Sequence, residues 1–129
     1  MTNLILQRDI TVIELGTGYE SLDEETLEEI GAVLLTKSAT VEPPVMVLDL
    51  SQTSYIGSMF IELLVRAWKR LKERGGTMVL CGVQPFCAEV LRTTRLDEIW
   101  PLYPSREQAV AAVEEFLDRQ RQPVQQGNR

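Results

Sequence analysis

The sequence predicts an α/β domain built on a central, mostly parallel sheet, and three observations carry that reading. Beyond residue 45, strand-like apolar runs alternate with helix-like periods, the order that places helices over parallel strands. Two of those runs, Val45-Met46-Val47-Leu48 and Thr77-Met78-Val79-Leu80-Cys81, are nearly continuously apolar, as strands covered on both faces are. They are expected to be neighbours at the centre of the sheet. The chain has 129 residues, 44% of them hydrophobic, which is the length of one domain. A domain of that size buries roughly two-thirds of its unfolded surface and needs no metal or disulfide to hold its core.

The elements follow in order. Leu4-Ile5-Leu6 and Ile10-Thr11-Val12-Ile13-Glu14-Leu15 read as two short strands around a polar Gln7-Arg8-Asp9 turn, and Gly16 and Gly18 break the second. Ser21 and Glu24 have the spacing of a capping box, and Leu27, Ile30 and Leu34 continue a helical period, predicting a helix over about 22–37. Pro43-Pro44 closes the connection to the first buried strand. A second helix is expected from about Met59 to Arg74, with Phe60, Leu63, Leu64, Ala67 and Leu71 on its apolar face. Basic residues crowd its last turns and Gly75-Gly76 stops it. After the second buried strand, Pro85 opens a shorter helix through Thr93. Ile99-Trp100 is a candidate strand. Ser105 and Gln108 cap a last helix whose buried stripe is Ala109, Val113, Phe116 and Leu117. The domain is expected to span 1–118. From Arg119 to Arg129 the chain is polar without an apolar period and reads as a disordered tail.

Composition removes several classes of function. Thirteen basic against nineteen acidic residues give a net charge of −6, which argues against general phosphate-backbone binding by nucleic-acid partners. There is no His, so no Ser-His-Asp triad, Cys-His dyad or His-ligated zinc can be built within this chain. Cys81 and Cys87 lack metal or redox spacing and read as small buried hydrophobes. No secretory signal and no membrane-length apolar run is read, so a cytoplasmic setting is the expectation. The carboxylates of Asp23, Glu24, Glu25, Glu28 and Glu29 fit a solvated helix face better than a metal cluster. Arg66, Lys69, Arg70, Lys72 and Arg74 likewise fit an exposed, dipole-matched face. No cofactor is implied. Trp68 and Tyr55 are open between partner anchors and burial.

The chemistry-bearing segment is Ser51-Gln52-Thr53-Ser54-Tyr55-Ile56-Gly57-Ser58, between the first buried strand and the second helix. Working residues in open α/β sheets gather beyond the carboxyl ends of the strands. Ser58 falls at or beside the N-cap of the helix, where its hydroxyl would meet unpaired backbone N–H groups. A phosphate there would meet the same donors and the positive end of the helix dipole. Two readings stay open: a helix cap alone, or a phosphorylation site. Catalysis by Ser58 is not expected, because G-x-S-x-G is absent and no base accompanies it.

Asp49-Leu50-Ser51 followed by Tyr55-Ile56-Gly57-Ser58 and an apolar helix resembles the STAS domain of bacterial anti-sigma factor antagonists. The family pattern is an apolar strand, Asp-Leu-Ser, a short turn, and Asp-Ser-Ser-Gly-Leu opening a helix. Counted without gaps, Ser58 takes the position of the family's phosphorylated serine; a one-residue slip would give it the second serine. Gly57 stands where the family has Asp, Met59 where it has the second Ser, and Phe60 where it has Gly. The resemblance runs over roughly 4–117. It implies a small STAS-type α/β domain that is a binding switch and not an enzyme. The implied partner is an anti-sigma factor of the serine-kinase type, bound through Tyr55, Ile56, Gly57, Ser58 and Met59 and released when Ser58 is phosphorylated. A separate serine phosphatase would reset it. The alternative is a STAS module without a switch, in a lipid-transport assembly or a signalling scaffold. Oligomeric state stays open.

Overall fold

The structure, a computed structural model, describes residues 2–15, 24–54 and 56–120. Strands β1 (Thr2–Gln7) and β2 (Ile10–Leu15) form an antiparallel hairpin. Its two-residue turn puts Arg8 and Asp9 at φ 54° and 66°, the left-handed pair that a type I′ turn needs. Helix α1 (Glu24–Thr40), β3 (Val45–Asp49), α2 (Ser58–Glu73), β4 (Thr77–Cys81), α3 (Pro85–Thr93), β5 (Leu102–Tyr103) and α4 (Arg106–Gln120) follow. The sheet order is β1-β2-β3-β4-β5, and every pair after the hairpin is parallel. The two continuously apolar strands are adjacent, with Val45 opposite Thr77 and Leu48 opposite Leu80.

Alternation along the strands divides the interior in two. Ile13, Met46, Leu48, Met78 and Leu80 face one layer and meet α1, α2 and α3, whereas Val12, Val45, Val47 and Val79 face α4. From α2, Phe60, Leu64, Ala67 and Leu71 are buried, and Leu63 is half-buried beside Gly31 of α1. Trp68 is half-buried against the same layer. Burying each large aliphatic side chain contributes about 1.5–3 kcal/mol, so the α2 stripe is a main fastening of the fold.

Helix α1 runs to Thr40, three residues beyond the expected end. The extra turn is supported from α2: Arg74 donates to the carbonyls of Ser38 (3.1 Å) and Val41 (2.7 Å), and Arg70 to that of Leu35 (2.9 Å). These two members of the basic face therefore cap a neighbouring helix as well as ending their own. Ser21 of the Ser21–Glu24 capping box lies outside the described residues. Gly76 is demanded by a close approach, since a Cβ there would lie 1.5 Å from the carbonyl oxygen of Pro44.

Two expected elements are corrected. Ile99-Trp100 is not a strand: a 3-10 turn at Leu96–Glu98 uses its amides, with the N–H groups of both residues donating to the carbonyl of Leu96. Strand pairing begins only at Pro101, whose carbonyl accepts from Leu80, and Trp100 is wholly buried. Helix α4 includes Arg119 and Gln120, which had been assigned to the tail; residues 121–129 lie outside the described ones. Its start is as expected, with the N–H of Gln108 donating to the Ser105 hydroxyl at 3.2 Å.

Candidate functional site

The carboxyl ends of β2, β3 and β4 lie together at one end of the sheet, where Arg106, the first residue of α4, reaches across. Its guanidinium donates to Asp49 Oδ2 from Nη2 at 2.8 Å and from Nε at 3.2 Å, and to Glu14 Oε2. Asp49 is 9% exposed at its side chain. Burial alone would raise its pKa, but the bonds from Arg106 and from Ser51 win, and the carboxyl is held below its ordinary value. Glu14, Asp49 and Arg106 thus join β2, β3 and α4 at the root of the turn that leads into α2.

From this root the chain is fastened residue by residue. The other Asp49 oxygen accepts from the Ser51 N–H at 3.0 Å. Leu50 donates to the carbonyl of Cys81 at 2.9 Å, and Thr53 to that of Leu50 at 3.0 Å. Gln84 holds the Ser51 carbonyl at 2.7 Å, and the Cys87 thiol donates to the Thr53 carbonyl at 3.6 Å. Gly82, at φ +65°, lets the next turn pass close, since its Cβ would meet that of Ser51 at 3.0 Å. Both cysteines are buried and free, as expected; burial pushes the Cys81 thiol up to about 12 and raises that of Cys87 as well.

The second half of the turn is different. Ile56 is buried and anchors it, while Ser54, Ser58 and Met59 are exposed. The N-cap of α2 is Gly57, with extended backbone at φ −116° and ψ −178°, and among the described residues no side-chain cap bond is made there. Ser58 is the first helical residue, so its hydroxyl is not the cap that one sequence reading made it. The reason is geometric: the side chain of a cap precedes the helix, and here that position belongs to a glycine. Thr53 is wholly buried, so among the turn's described hydroxyl residues Ser51, Ser54 and Ser58 are at the surface, and Ser51 is in the tied half.

Of the residues expected to meet a partner, Ser58 and Met59 face outward, Gly57 is half-buried, Ile56 points into the core, and Tyr55 lies outside the described residues. Met59, 57% exposed, stands at one end of an open groove of about 430 Å³ between α1 and α2, floored by Leu27, Gly31, Leu35 and Leu63. The Glu14–Arg106–Asp49 cluster was missed by sequence reasoning. A signal existed: Glu14 is the one charge in β2, and Asp49 closes a fully apolar strand whose burial calls for a compensating cation. Nothing in the sequence selects Arg106 as that cation.

The sequence pattern of the STAS domain family matches residues 6–109. BtrV of Bordetella bronchiseptica, a candidate anti-sigma factor antagonist by name, is 35% identical over 74 residues, covering 57% of this chain and 64% of BtrV. The match thus spans less than two-thirds of that protein. Among solved structures, a STAS-domain anti-sigma factor antagonist from Planctomyces limnophilus superimposes with a TM-score of 0.81 at 37% identity, covering 88% of this chain and 97% of that one. The phosphorylated form of SpoIIAA from Bacillus superimposes at 0.68 with 21% identity, covering 88% and 99%, and shares the fold. A family pattern spanning both cores and the α2-opening turn, on a mostly parallel sheet as expected, leads to one conclusion: this chain belongs to the STAS domain family.

Proposed function

We propose that the chain is an anti-sigma factor antagonist, a protein-binding switch whose contact surface centres on Ser58. The observation that supports it best is the exposed residue Ser58 at the first position of α2, a 16-residue helix whose N-cap is a glycine. Backbone N–H groups and the helix dipole there favour a phosphate on that oxygen. The unphosphorylated surface, with Met59 beside Ser58, would bind an anti-sigma factor of the serine-kinase type and free a sigma factor. Phosphorylation adds about −1.5 to −2 charges to that surface and releases the complex. A serine phosphatase restores the binding form. The domain does no covalent chemistry itself.

Incubation with a serine-kinase anti-sigma factor and ATP is expected to add one phosphate, which mass spectrometry places on Ser58. Ser58→Ala should bind that partner whether or not ATP is present, and Ser58→Asp should bind it weakly. Phosphate on Ser54 would move the switch to the neighbouring exposed hydroxyl. Equal binding by wild type and both variants, with no modification, would favour a STAS module without a switch. The apolar Met59 and the groove beside it suit that second reading equally well.

A further inference from the structure

The two edges of the sheet are built differently. Strand β5 has two residues, Leu102 and Tyr103, between Pro101 and Pro104, which is how natural edges are kept from pairing. Strand β1 has six, Thr-Asn-Leu-Ile-Leu-Gln, with no charge, no proline and no glycine. Its leucines are two of the five large apolar side chains exposed among the described residues: Leu4 is 49% exposed, and Leu6, at 72%, is the most exposed of them. Both lie on the α1 side of the sheet, beside a shallow hollow of about 340 Å³ shared with Thr11, Lys37 and Val41. Ile5 points the other way, into the α4 layer.

We propose that β1 is a homodimer edge, pairing antiparallel with the β1 of a second copy to make a continuous ten-stranded sheet. The hairpin fixes which backbone groups are available. A two-residue turn makes Gln7 and Ile10 a hydrogen-bonded pair, so the N–H and C=O groups of Gln7, Ile5 and Asn3 are spent on β2. Those of Leu4 and Leu6 point outward. A two-fold axis perpendicular to the sheet preserves its faces, so facing residues of the two strands share a face. Only registers that set even-numbered residues opposite even-numbered ones satisfy the free groups. Among these, one sets every leucine against a leucine: Leu4 faces Leu6 of the second copy, Leu6 faces its Leu4, and Ile5 meets Ile5 on the axis. The strand is thus complementary to itself in both hydrogen bonding and apolar contact, with no charge to repel its twin. This edge lies away from the β3–α2 turn, so the inference is independent of any role for Ser58, and a dimer would carry two copies of that turn.

A single strand pair buries less than a standard interface, so the dimer is weak and is read at about 0.1–1 mM protein. Sedimentation velocity over that range should show concentration-dependent dimer for the full chain. Leu6→Lys, at an exposed position, should raise the dimer dissociation constant at least tenfold with unchanged circular dichroism and Tm. Ile5→Cys should form an intermolecular disulfide under mild oxidation, because its sulfur would sit on the axis while Cys81 and Cys87 stay buried; Leu4→Cys should cross-link far less. A monomer at about 1 mM overturns the proposal, as does a dimer that Leu6→Lys leaves intact. Faster cross-linking of Leu4→Cys than of Ile5→Cys overturns the register.

Discussion

The two halves of the turn between β3 and α2 follow one another directly in the chain, and they are fastened in opposite ways. Asp49 to Thr53 is held by the Arg106 guanidinium, by the Asp49–Ser51 bond, by Gln84 and by the Cys87 thiol, so four side chains fasten five residues. In the described part of Ser54 to Met59, Ile56 alone is buried, and the helix starts on an uncapped glycine. The proposed phosphorylation needs an exposed oxygen and backbone N–H groups at a helix start, which the second half has. It also needs a fixed origin, which the first half supplies. Rigidity and access are adjacent rather than shared, and the comparison can be tested from either side.

The largest effect is expected from removing the shared cation. Arg106→Met removes the cation that Asp49 and Glu14 share, and the loss of a buried pair's partner costs about 3–5 kcal/mol when fully desolvated. The Arg106 side chain is 22% exposed, so a somewhat smaller cost of about 2–4 kcal/mol is expected from urea unfolding. A cost under about 0.5 kcal/mol, the level of an ordinary surface substitution, would mean that the first half is not fastened by this cluster.

A smaller, pH-dependent effect follows from Asp49. Its folded-state pKa lies below the ordinary 3.8, so its contribution is complete at pH values above about 4 and is lost as pH falls through the folded-state value. Asp49→Asn should therefore destabilise at pH 7, and the gap from wild type should narrow in acid unfolding below pH 4. A gap that stays constant across that range would show that the carboxylate's charge contributes nothing to the fastening.

How much of this was legible depends on the range of the interaction. Strands Val45–Leu48 and Thr77–Cys81 are visible because burial on both faces leaves no polar alternation, and that same property makes them neighbours. Helix α2 is visible through its periodicity. The end of α1 was placed early because its support comes from Arg70 and Arg74, more than thirty residues away. Ile99-Trp100 misled for a related reason: a bulky apolar pair fits a strand until a preceding 3-10 turn uses its amides. At the site, Ser58 stood out from its place before an apolar helix, but the one-residue difference between cap and first turn is below what pattern can resolve. The Arg106 cluster joins residues 14, 49 and 106, and no local spacing announces it.

The smallest effects belong to the open half, and they separate a cap from a modification site. Ser58 is the first helical residue and caps nothing, so Ser58→Ala should change stability by less than about 0.5 kcal/mol, as an exposed substitution without special contacts does. Gly57→Asp tests the same geometry in the opposite direction. The extended backbone at this position suits any residue, and the first turn of α2 contains no acid. An aspartate there can accept from the N–H groups of Met59 or Phe60 and meet the positive end of the dipole, a gain of about 0.5–1 kcal/mol over glycine. Tm should rise accordingly. Because the aspartate would occupy donors otherwise open to a phosphate on Ser58, and add a like charge beside it, phosphorylation should cost the variant stability that it does not cost the wild type. A Gly57→Asp chain that melts lower than wild type before any phosphorylation would show that the N-terminus of α2 is already capped in solution. The second half of the turn would then be as closed as the first.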